Sequence, residues 1–244
     1  MNLAIVGYGK MGRLVEQLAP EYGFAVKLKL DEFNNTGHAG MTAANFRGID
    51  VAIEFSIPET AAGNLERLAA LGVDAVSGTT GWFSEMDRVK QAVKAGGTGL
   101  VWSPNFSIGV NVFSRLVAEA ARLLASENDY GAWAWEIHHS TKKDAPSGTL
   151  LKLVGEMRKA GYSRPVDTSS NRAGRHPGTH EIGFDSAADT ITLRHSARSR
   201  EGFARGALKA AQWVRGKKGA FEFSDILFGR MRESEQGKAK TGEK

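Results

Sequence analysis

The chain of 244 residues has no cysteine. This absence excludes disulfide bonds, thiolate metal ligands and cysteine nucleophiles, and with them the aldehyde dehydrogenases that form a thioester. The sequence also lacks an apolar run of about 18 residues, the length that a membrane-spanning helix needs. The N-terminus leads straight into an apolar strand, without the basic segment and cleavage site of a signal peptide, so we expect a cytoplasmic protein with no membrane partner.

The composition is that of an ordinary globular protein, with 41% hydrophobic and 24% charged residues. The net charge of +5 fits either a mixed surface or a site that attracts anions, such as nucleotide phosphates and a carboxylated substrate. Basic residues do not form a stripe interleaved with aromatic residues, and no nucleic-acid motif occurs. We therefore expect no nucleic-acid partner.

Short apolar runs alternate with helical patterns over the first part of the chain. This alternation predicts a parallel sheet with right-handed crossovers, which binds ligands at the carboxyl ends of its strands. The predicted strands are Leu3–Val6, Ala25–Leu30, Val51–Phe55, Asp74–Ser77 and Gly99–Trp102. The predicted helices between them are Met11–Leu18, Glu59–Leu71 and Ser84–Ala95.

The pattern changes after Asn111. A long amphipathic helix is followed by strands of alternating polarity and a last helix, which predicts a second, open mixed sheet. The segments are Val112–Leu124 (helix), Trp133–Ile137 (strand), Ile182–Phe184 with Thr190–His195 (hairpin) and Phe203–Arg215 (helix). Ser163–Thr179 is expected to be a long loop, and the polar tail Glu233–Lys244 to be disordered. The fold class is thus α/β, with a Rossmann-type nucleotide-binding domain and a second α+β substrate and oligomerisation domain.

A glycine-rich pattern, G-x-G-x-x-G, follows the first strand and opens a helix. In dinucleotide-binding proteins the three glycines allow a tight turn, a close approach of pyrophosphate, and close packing of helix and strand. The alternative is a plain glycine turn. The candidate cofactor residues are Gly7, Tyr8, Gly9, Lys10, Met11 and Gly12.

Further cofactor candidates lie at the ends of the other predicted parallel strands. Asp31 ends the second strand, where an acidic side chain accepts hydrogen bonds from the ribose of NAD; otherwise it is a cap or turn residue. Two loops follow the fourth and fifth strands and would line the nicotinamide side, although either could be an ordinary turn. They contain Gly78, Thr79 and Thr80, and Ser103, Pro104, Asn105 and Phe106.

The segment from Glu136 to Thr149 contains two histidines, two lysines and acids at the end of a strand, followed by a helix start near Leu150. Histidines and lysines can donate protons, and a helix N-terminus with small residues suits a carboxylate. This anion site would consist of Ser147, Gly148 and Thr149. The alternative is a capped helix preceded by solvated charges.

Two other chemistries are disfavoured for the same segment. Zinc binding by His138 and His139 is disfavoured, because adjacent residues of a strand point to opposite faces and no third ligand has helical spacing. A role of Ser147 as a hydrolase nucleophile is disfavoured too, because the G-x-S-x-G pattern of a strand–elbow–helix is absent from the sequence. We therefore expect no metal site.

Several segments together resemble one family. They are Gly7–Arg13, Glu54–Glu59, Gly78–Gly81, Pro104–Asn111, His138–His139 with Lys142, Asp144–Thr149, His195, Arg200 and Phe203–Ala207. This set resembles the 4-hydroxy-tetrahydrodipicolinate reductases over most of the chain. The resemblance implies reduction of 4-hydroxy-tetrahydrodipicolinate to tetrahydrodipicolinate by NADH or NADPH, in the biosynthesis of diaminopimelate and lysine.

The resemblance also implies roles for single residues. His138 would be the acid/base residue and Lys142 the second proton donor. The substrate, a small dicarboxylate, would be bound by His139, Gly148, Thr149 and Arg200. Ser140-Thr141 departs from the residues that family members often have between the histidines and the lysine.

The family layout implies a substrate domain inserted into the nucleotide domain. Residues 1–107 with 203–244 would bind the dinucleotide, and residues 108–202 would bind substrate and form a homotetramer through the open sheet. The hairpin here is short and lacks a strand pair found in longer members, which would reduce the tetramer interface.

For the cofactor, the segment Asp31-Glu32 predicts that NADH is used at least as well as NADPH. Two carboxylates accept hydrogen bonds from ribose hydroxyls and repel a 2′-phosphate. Arg13, Lys27 and Lys29 are the nearest cations that would offset this repulsion.

Overall fold

The computed structural model describes residues 1–229 and divides them into two compact units. The first unit comprises residues 1–106 together with the chain from residue 204 onwards, and the second comprises Ser107–Phe203. The predicted disordered tail, Glu233–Lys244, lies outside the described residues. Among the described residues, no helix is long and apolar enough to span a membrane.

Ten strands and seven α-helices form the two units. The strands are β1 (Asn2–Val6), β2 (Ala25–Leu30), β3 (Val51–Glu54), β4 (Asp74–Ser77), β5 (Gly99–Trp102), β6 (Gly131–His138), β7 (Val166–Arg172), β8 (Thr179–Asp185), β9 (Thr190–Ser196) and β10 (Gly219–Glu222). The helices are α1 (Lys10–Leu18), α2 (Pro58–Ala70), α3 (Met86–Gly96), α4 (Ile108–Leu123), α5 (Gly148–Lys159), α6 (Glu201–Val214) and α7 (Phe223–Leu227).

The first unit contains a six-stranded parallel sheet in the order β10-β5-β4-β3-β1-β2. Its central strands are nearly continuous apolar runs, as expected for a parallel sheet that is covered on both faces. Leu3, Ile53 and Leu100 are completely buried, and burial of each such side chain contributes about 1.5–3 kcal/mol. The predicted parallel sheet is confirmed, with one strand more than the sequence indicated.

The additional strand is β10, which pairs in parallel with β5. It is only four residues long and has neither an apolar run nor an alternating pattern, so nothing in the sequence marks it as a strand. Helix α6 precedes β10 and packs closely against the backbone at Phe106. A Cβ at Gly206 would lie only 1.8 Å from the carbonyl oxygen of Phe106. The C-terminal segment therefore completes the sheet that the N-terminal segment begins.

The second unit contains a four-stranded mixed sheet in the order β7-β6-β8-β9. Strand β6 pairs in parallel with β7 and antiparallel with β8, and β8 pairs antiparallel with β9. The face bearing Ala134 and Ile182 joins a buried core with Leu150 and Leu153 of α5. Trp133 and Trp135 alternate with the buried residues and lie on the other face.

One prediction for this unit is wrong. The expected loop Ser163–Thr179 contains strand β7, which pairs with β6 over seven residues. Strand β7 is an edge strand of sequence Val-Asp-Thr-Ser-Ser-Asn-Arg, and its side chains are half-exposed or exposed. Without a buried face, no apolar alternation was required, so the sequence pattern resembled that of a loop.

Candidate active site

The glycine loop after β1 is shaped by close backbone contacts. Gly7 has a φ of +94°, and a Cβ there would lie 2.2 Å from the carbonyl oxygen of Phe55. A Cβ at Gly12 would lie 2.5 Å from the carbonyl oxygen of Gly7. Both positions therefore require glycine, one for the turn and one for the packing of α1 against it.

Gly9 differs from these two glycines, because no atom lies within 4 Å of the position that its Cβ would take. It is the N-cap of α1, whose first turn has no acidic residue. The first amides of a helix lack partners within the helix and carry a partial positive charge. The amides of Gly7 and Tyr8 are instead bonded to the carbonyl oxygen of Leu30, at 2.8 and 3.0 Å. The open space at Gly9 and the start of α1 fit a pyrophosphate group.

A cavity of about 460 Å³ adjoins this loop in the first unit. Asp31, Glu32 and Phe33 form one side of it, and Arg13 lies at the glycine loop. Phe33 is 85% exposed although it is aromatic. The cavity has the acidic, aromatic and glycine-rich walls that an adenosine group and its phosphates require.

Asp31 has a structural role in addition to its place in the cavity wall. Its Oδ1 accepts hydrogen bonds from the amides of Phe33 and Asn34, at 3.0 and 3.1 Å. The turn interpretation of Asp31 is therefore correct, and the hydrogen bonds of the turn use only Oδ1 of its carboxylate. The two interpretations of the sequence are compatible.

Of the three cations expected near the ribose, Arg13 lines the cavity. Its guanidinium lies 4.8 Å from the ring centroid of Tyr8. The ammonium of Lys29 lies 5.0 Å from the centroid of the same ring, but it also pairs with the carboxylate of Glu16 at 3.0 Å. Lys27 is exposed on β2. Arg13 is therefore the cation with the clearest access to a phosphate in this cavity.

The loops after β3 and β4 are held together by Glu54, which is completely buried. Its carboxylate accepts hydrogen bonds from the hydroxyls of Ser56, Ser77 and Thr79, the last two at 2.7 and 2.9 Å. Burial raises the pKa of Glu54, although these hydrogen bonds act in the opposite direction. The hydroxyl of Thr79 is thus used to fix its loop, while Thr80 is exposed.

The neighbouring candidates after β5 also have internal partners. The hydroxyl of Ser103 donates to the carbonyl oxygen of Asn105 at 2.8 Å. Phe106 is buried, and its ring centroid lies 4.8 Å from that of Phe223. Pro104 is exposed. This loop therefore has a defined shape, with its backbone and Pro104 at the surface.

In the second unit, the buried carboxylate of Glu136 accepts four hydrogen bonds and lies beside a histidine. Its Oε1 accepts from the amide of Ser147 at 2.8 Å, the hydroxyl of Ser170 at 3.0 Å and the guanidinium of Arg172 at 2.8 Å. Its Oε2 accepts from the hydroxyl of Ser147 and lies 3.4 Å from Nε2 of His180. Burial alone would raise the pKa of Glu136, but the hydrogen bonds from Ser147 and Arg172 outweigh it and lower the pKa to about 2. The carboxylate is therefore charged at neutral pH.

His138 lies on the same face of β6, two residues after Glu136. Its Nδ1 is 3.5 Å from Oε2 of Glu136 and makes no hydrogen bond. The His138 and His180 rings meet edge to face, with centroids 5.1 Å apart. Burial lowers the pKa of His138, and it lowers that of His180 to about 4, which favours the neutral form of both rings.

The loop after β6 holds the other candidates near the surface. Lys142 pairs with both carboxylate oxygens of Asp144, at 2.7 and 2.9 Å. His139 is half-buried, and its Nδ1 lies 2.8 Å from the hydroxyl of Thr141. Arg200 is exposed in the segment before α6. Lys142 and His139 thus have hydrogen-bond partners within the loop, whereas the side chain of Arg200 is exposed to solvent.

Ser147 is the N-cap of α5, and its hydroxyl accepts from the amide of Leu150 at 3.2 Å. Since its amide and hydroxyl are also bonded to Glu136, its polar groups have internal partners. Gly148 is exposed and Thr149 half-buried in the first turn of α5, which has no acidic residue. The capped-helix interpretation therefore holds for Ser147.

Sequence reasoning did not single out the residues that surround His138. Arg172 and His180 lie opposite His138 and Glu136 on β7 and β8, respectively. One signal was available, because alternation places the charged Glu136 on the same face as Ala134, where apolar residues are expected. Glu136, His138 and His180 are also the metal-capable cluster among residues 1–229, with ligand atoms within 4.8 Å. However, the Arg172 guanidinium occupies the same carboxylate, which opposes a cation there.

The glycine loop, the cavity beside Asp31 and the parallel sheet define a Rossmann-type dinucleotide-binding protein. The sequence matches the profile of "Dihydrodipicolinate reductase, N-terminus" over residues 1–106 and that of "Dihydrodipicolinate reductase, C-terminus" over residues 109–227. The chain therefore belongs to the dihydrodipicolinate reductase family. These reductases use NADH or NADPH and act in lysine and diaminopimelate biosynthesis.

Individual relatives agree with this assignment. The 4-hydroxy-tetrahydrodipicolinate reductases of Christiangramia forsetii and Archaeoglobus fulgidus are each 34% identical to the chain and cover 93% of it, with 98% and 100% of their own lengths aligned. A dipicolinate-bound dihydrodipicolinate reductase from Paenisporosarcina sp. TG-14 has the same fold, with a TM-score of 0.78 at 19% identity, covering 93% of this chain and 99% of that one. The predicted family, fold class and cofactor type are confirmed.

Proposed function

We propose that this chain reduces 4-hydroxy-tetrahydrodipicolinate to tetrahydrodipicolinate, with His138 as the proton donor. The bound nicotinamide supplies a hydride to C4 of the ring. Hydride addition and departure of the C4 hydroxyl as water together consume one proton, which the chain must deliver. The observation that carries the proposal is the buried His138, whose Nδ1 lies 3.5 Å from the carboxylate of Glu136, in a protein of the reductase family. A histidine side chain can donate a proton, and a neighbouring carboxylate favours the protonated form that does so.

Lys142 is the second proton donor in this proposal; because the net reaction consumes one proton, a proton that Lys142 donates in one step must return to the chain in another. Its ammonium is held by Asp144, which fixes the position of the charge. The substrate carboxylates are bound by His139, by the amides and hydroxyl of Gly148 and Thr149 at the start of α5, and by Arg200. Fixed orientation of a bound substrate contributes several kcal/mol to lowering a barrier. Ser147 supports this site indirectly, because it caps α5 and anchors Glu136.

The proposal is tested by following NADH and NADPH oxidation with freshly generated dihydrodipicolinate synthase product. Turnover with at least one nicotinamide is expected. No oxidation of either cofactor by a folded protein that binds it would refute the reductase assignment. Equal turnover of several unrelated cyclic imines would show that the substrate assignment is too narrow.

We propose further that the first unit is the dinucleotide-binding domain and the second the substrate-binding and oligomerisation domain. The sixth strand, β10, and the buried face of α6 belong to the first unit, although they follow the second in sequence. A fragment of residues 1–107 is therefore expected to lose NADH binding, because it exposes the apolar surface that α6 covers. NADH affinity is measured by fluorescence titration. Binding equal to that of the full chain would contradict this domain layout.

For the cofactor, we propose that NADH is used at least as well as NADPH. Asp31 and Glu32 line the cavity and repel a 2′-phosphate, while Arg13 in the same cavity attracts it. Because exposed charges interact by only about 1 kcal/mol at 4 Å, we expect a preference of less than about tenfold. The measurement is kcat/KM for both cofactors at one ionic strength.

The same experiment is repeated with Asp31→Ala and, as a matched control, Glu32→Ala. Asp31→Ala is expected to weaken NADH use more than NADPH use, whereas Glu32→Ala is expected to improve NADPH use and to weaken NADH use less than Asp31→Ala does. A tenfold preference of the unmodified protein for NADPH would overturn the prediction. An unchanged NADH preference in Asp31→Ala would remove the ribose role of this residue.

We propose a cytoplasmic homotetramer, as is common in the family. Support comes from the face of the second sheet that carries Trp133 and Trp135, both half-exposed in the single chain. Contiguous aromatic residues on an uncovered sheet face are typical of a subunit interface. The short hairpin limits this interface. Light scattering of the purified protein should give four times the chain mass, and a monomer at micromolar concentration would contradict the proposal.

A further inference from the structure

The face of the second sheet around His138 brings together polar groups from three strands. Glu136 and His138 lie on β6, Arg172 is paired with His138 on β7, and His180 is paired with Glu136 on β8. All four side chains lie on the face that packs against α5, where apolar residues would otherwise be expected. Burial of a charged carboxylate costs several kcal/mol unless hydrogen bonds compensate it. Packing alone therefore does not explain the charged carboxylate of Glu136 on this face, and we expect it to have a role in the site.

Two observations link this charge to His138. The Nδ1 atom of His138 is buried without a hydrogen bond, and it lies 3.5 Å from Oε2 of Glu136. The other ring nitrogen, Nε2, lies next to Gly178. A Cβ at position 178 would lie only 3.0 Å from Nε2. The glycine therefore keeps the side of Nε2 clear, while the opposite side of the ring faces the carboxylate.

We propose that Glu136 is the positioning residue of His138: its Oε2 accepts the Nδ1 proton, so that Nε2 is presented as the proton-donating atom. When the ring is protonated, the distance of 3.5 Å between Nδ1 and Oε2 shortens to that of a hydrogen bond, because the imidazolium and the carboxylate attract each other. Arg172 and Ser170 hold Oε1, while Ser147 holds Oε1 through its amide and Oε2 through its hydroxyl, so the carboxylate is fixed with Oε2 beside His138. This inference rests on the proposed function, in which His138 is the acid.

The charged and titratable groups around His138 determine the sign of the effect. The carboxylates of Glu136 and Asp144 raise the pKa of His138, whereas burial and the cations Lys142 and Arg172 lower it. His180 from β8 is itself influenced by His195 on β9 and stays neutral near pH 7, because burial lowers its pKa to about 4. Glu136 is therefore the group that favours the protonated form of His138 most strongly.

The test is Glu136→Gln, which keeps the shape and removes the charge. If the reaction needs protonated His138, activity is lost as pH rises through its pKa. Removal of the carboxylate lowers that pKa, so the alkaline limb of kcat/KM should move to lower pH by about one unit. We expect kcat at pH 8 to fall about 10- to 100-fold, in line with the effect of misplacing an acid–base group. The KM for NADH should not change.

Glu156→Gln on α5 is the matched control, because it removes a carboxylate of the same unit that pairs with the exposed Lys159. Its pH profile should be that of the unmodified protein. A second measurement does not depend on activity: the ¹⁵N shifts of His138 should report the Nδ1–H tautomer in the unmodified protein and a mixture in Glu136→Gln. An unchanged tautomer and an unchanged alkaline limb in a folded Glu136→Gln variant would overturn the inference. A protein that shows the tautomer but has no reductase activity would refute the proposed function instead.

Discussion

His138→Ala and Lys142→Ala are each expected to lower kcat by about 10²–10⁴-fold, the usual contribution of a general acid–base group. In the proposed reaction His138 delivers the proton that leaves with the C4 hydroxyl, and Lys142 is the second donor. Neither residue belongs to the first unit, which contains the glycine loop. The dissociation constant of NADH should therefore stay within about twofold. Steady-state kinetics and a fluorescence titration of NADH measure the two quantities.

Lys143→Ala is the matched control for Lys142. Lys143 is the next residue in the chain and is exposed, and the proposal gives it no role. Its removal should leave kcat unchanged. Normal turnover in His138→Ala or Lys142→Ala would remove that residue from the mechanism. If Lys143→Ala lost as much activity as Lys142→Ala, a general effect of loop charge would explain the result better than proton donation.

The second large effect is expected for Gly7→Ala. A side chain there is strained by the φ of +94° and would lie 2.2 Å from the Phe55 carbonyl oxygen, so the backbone must move. A strained backbone position costs about 1–3 kcal/mol, and the steric clash adds to it. We expect a lower Tm and NADH binding weakened at least about 100-fold, because the displaced loop no longer directs α1 at the pyrophosphate. Calorimetry and NADH titration measure both effects.

Gly9→Ala separates the shape of the loop from contact with the cofactor. No atom of the protein lies within 4 Å of its added Cβ, so Tm should change little. The methyl group would instead occupy space that the pyrophosphate needs, and NADH affinity should fall about tenfold or more. Equal Tm values and equal NADH affinities for Gly7→Ala and Gly9→Ala would contradict the different roles assigned to the two glycines.

Much of the fold was predictable because burial left a clear pattern in the sequence. Strands β1, β3, β4 and β5 are short apolar runs, since both of their faces are covered. The edge strand β7 and the short strand β10 were missed for the opposite reason. Their side chains are not sorted into a buried and an exposed face, and their backbone hydrogen bonds come from partners distant in sequence. A pattern of side chains cannot reveal pairing of this kind.

The candidate sites divide in the same way. The sequence by itself determined the glycine loop, the acid at the end of β2 and the segment from His138 to Thr149, because each depends on neighbouring residues in a fixed local geometry. Only the tertiary structure brought Ser147, Arg172 and His180 around the carboxylate of Glu136. These residues come from three strands and a helix start, and the register between strands places them together. Strand register is set by hydrogen bonds and packing across the sheet, which no local spacing in the sequence specifies.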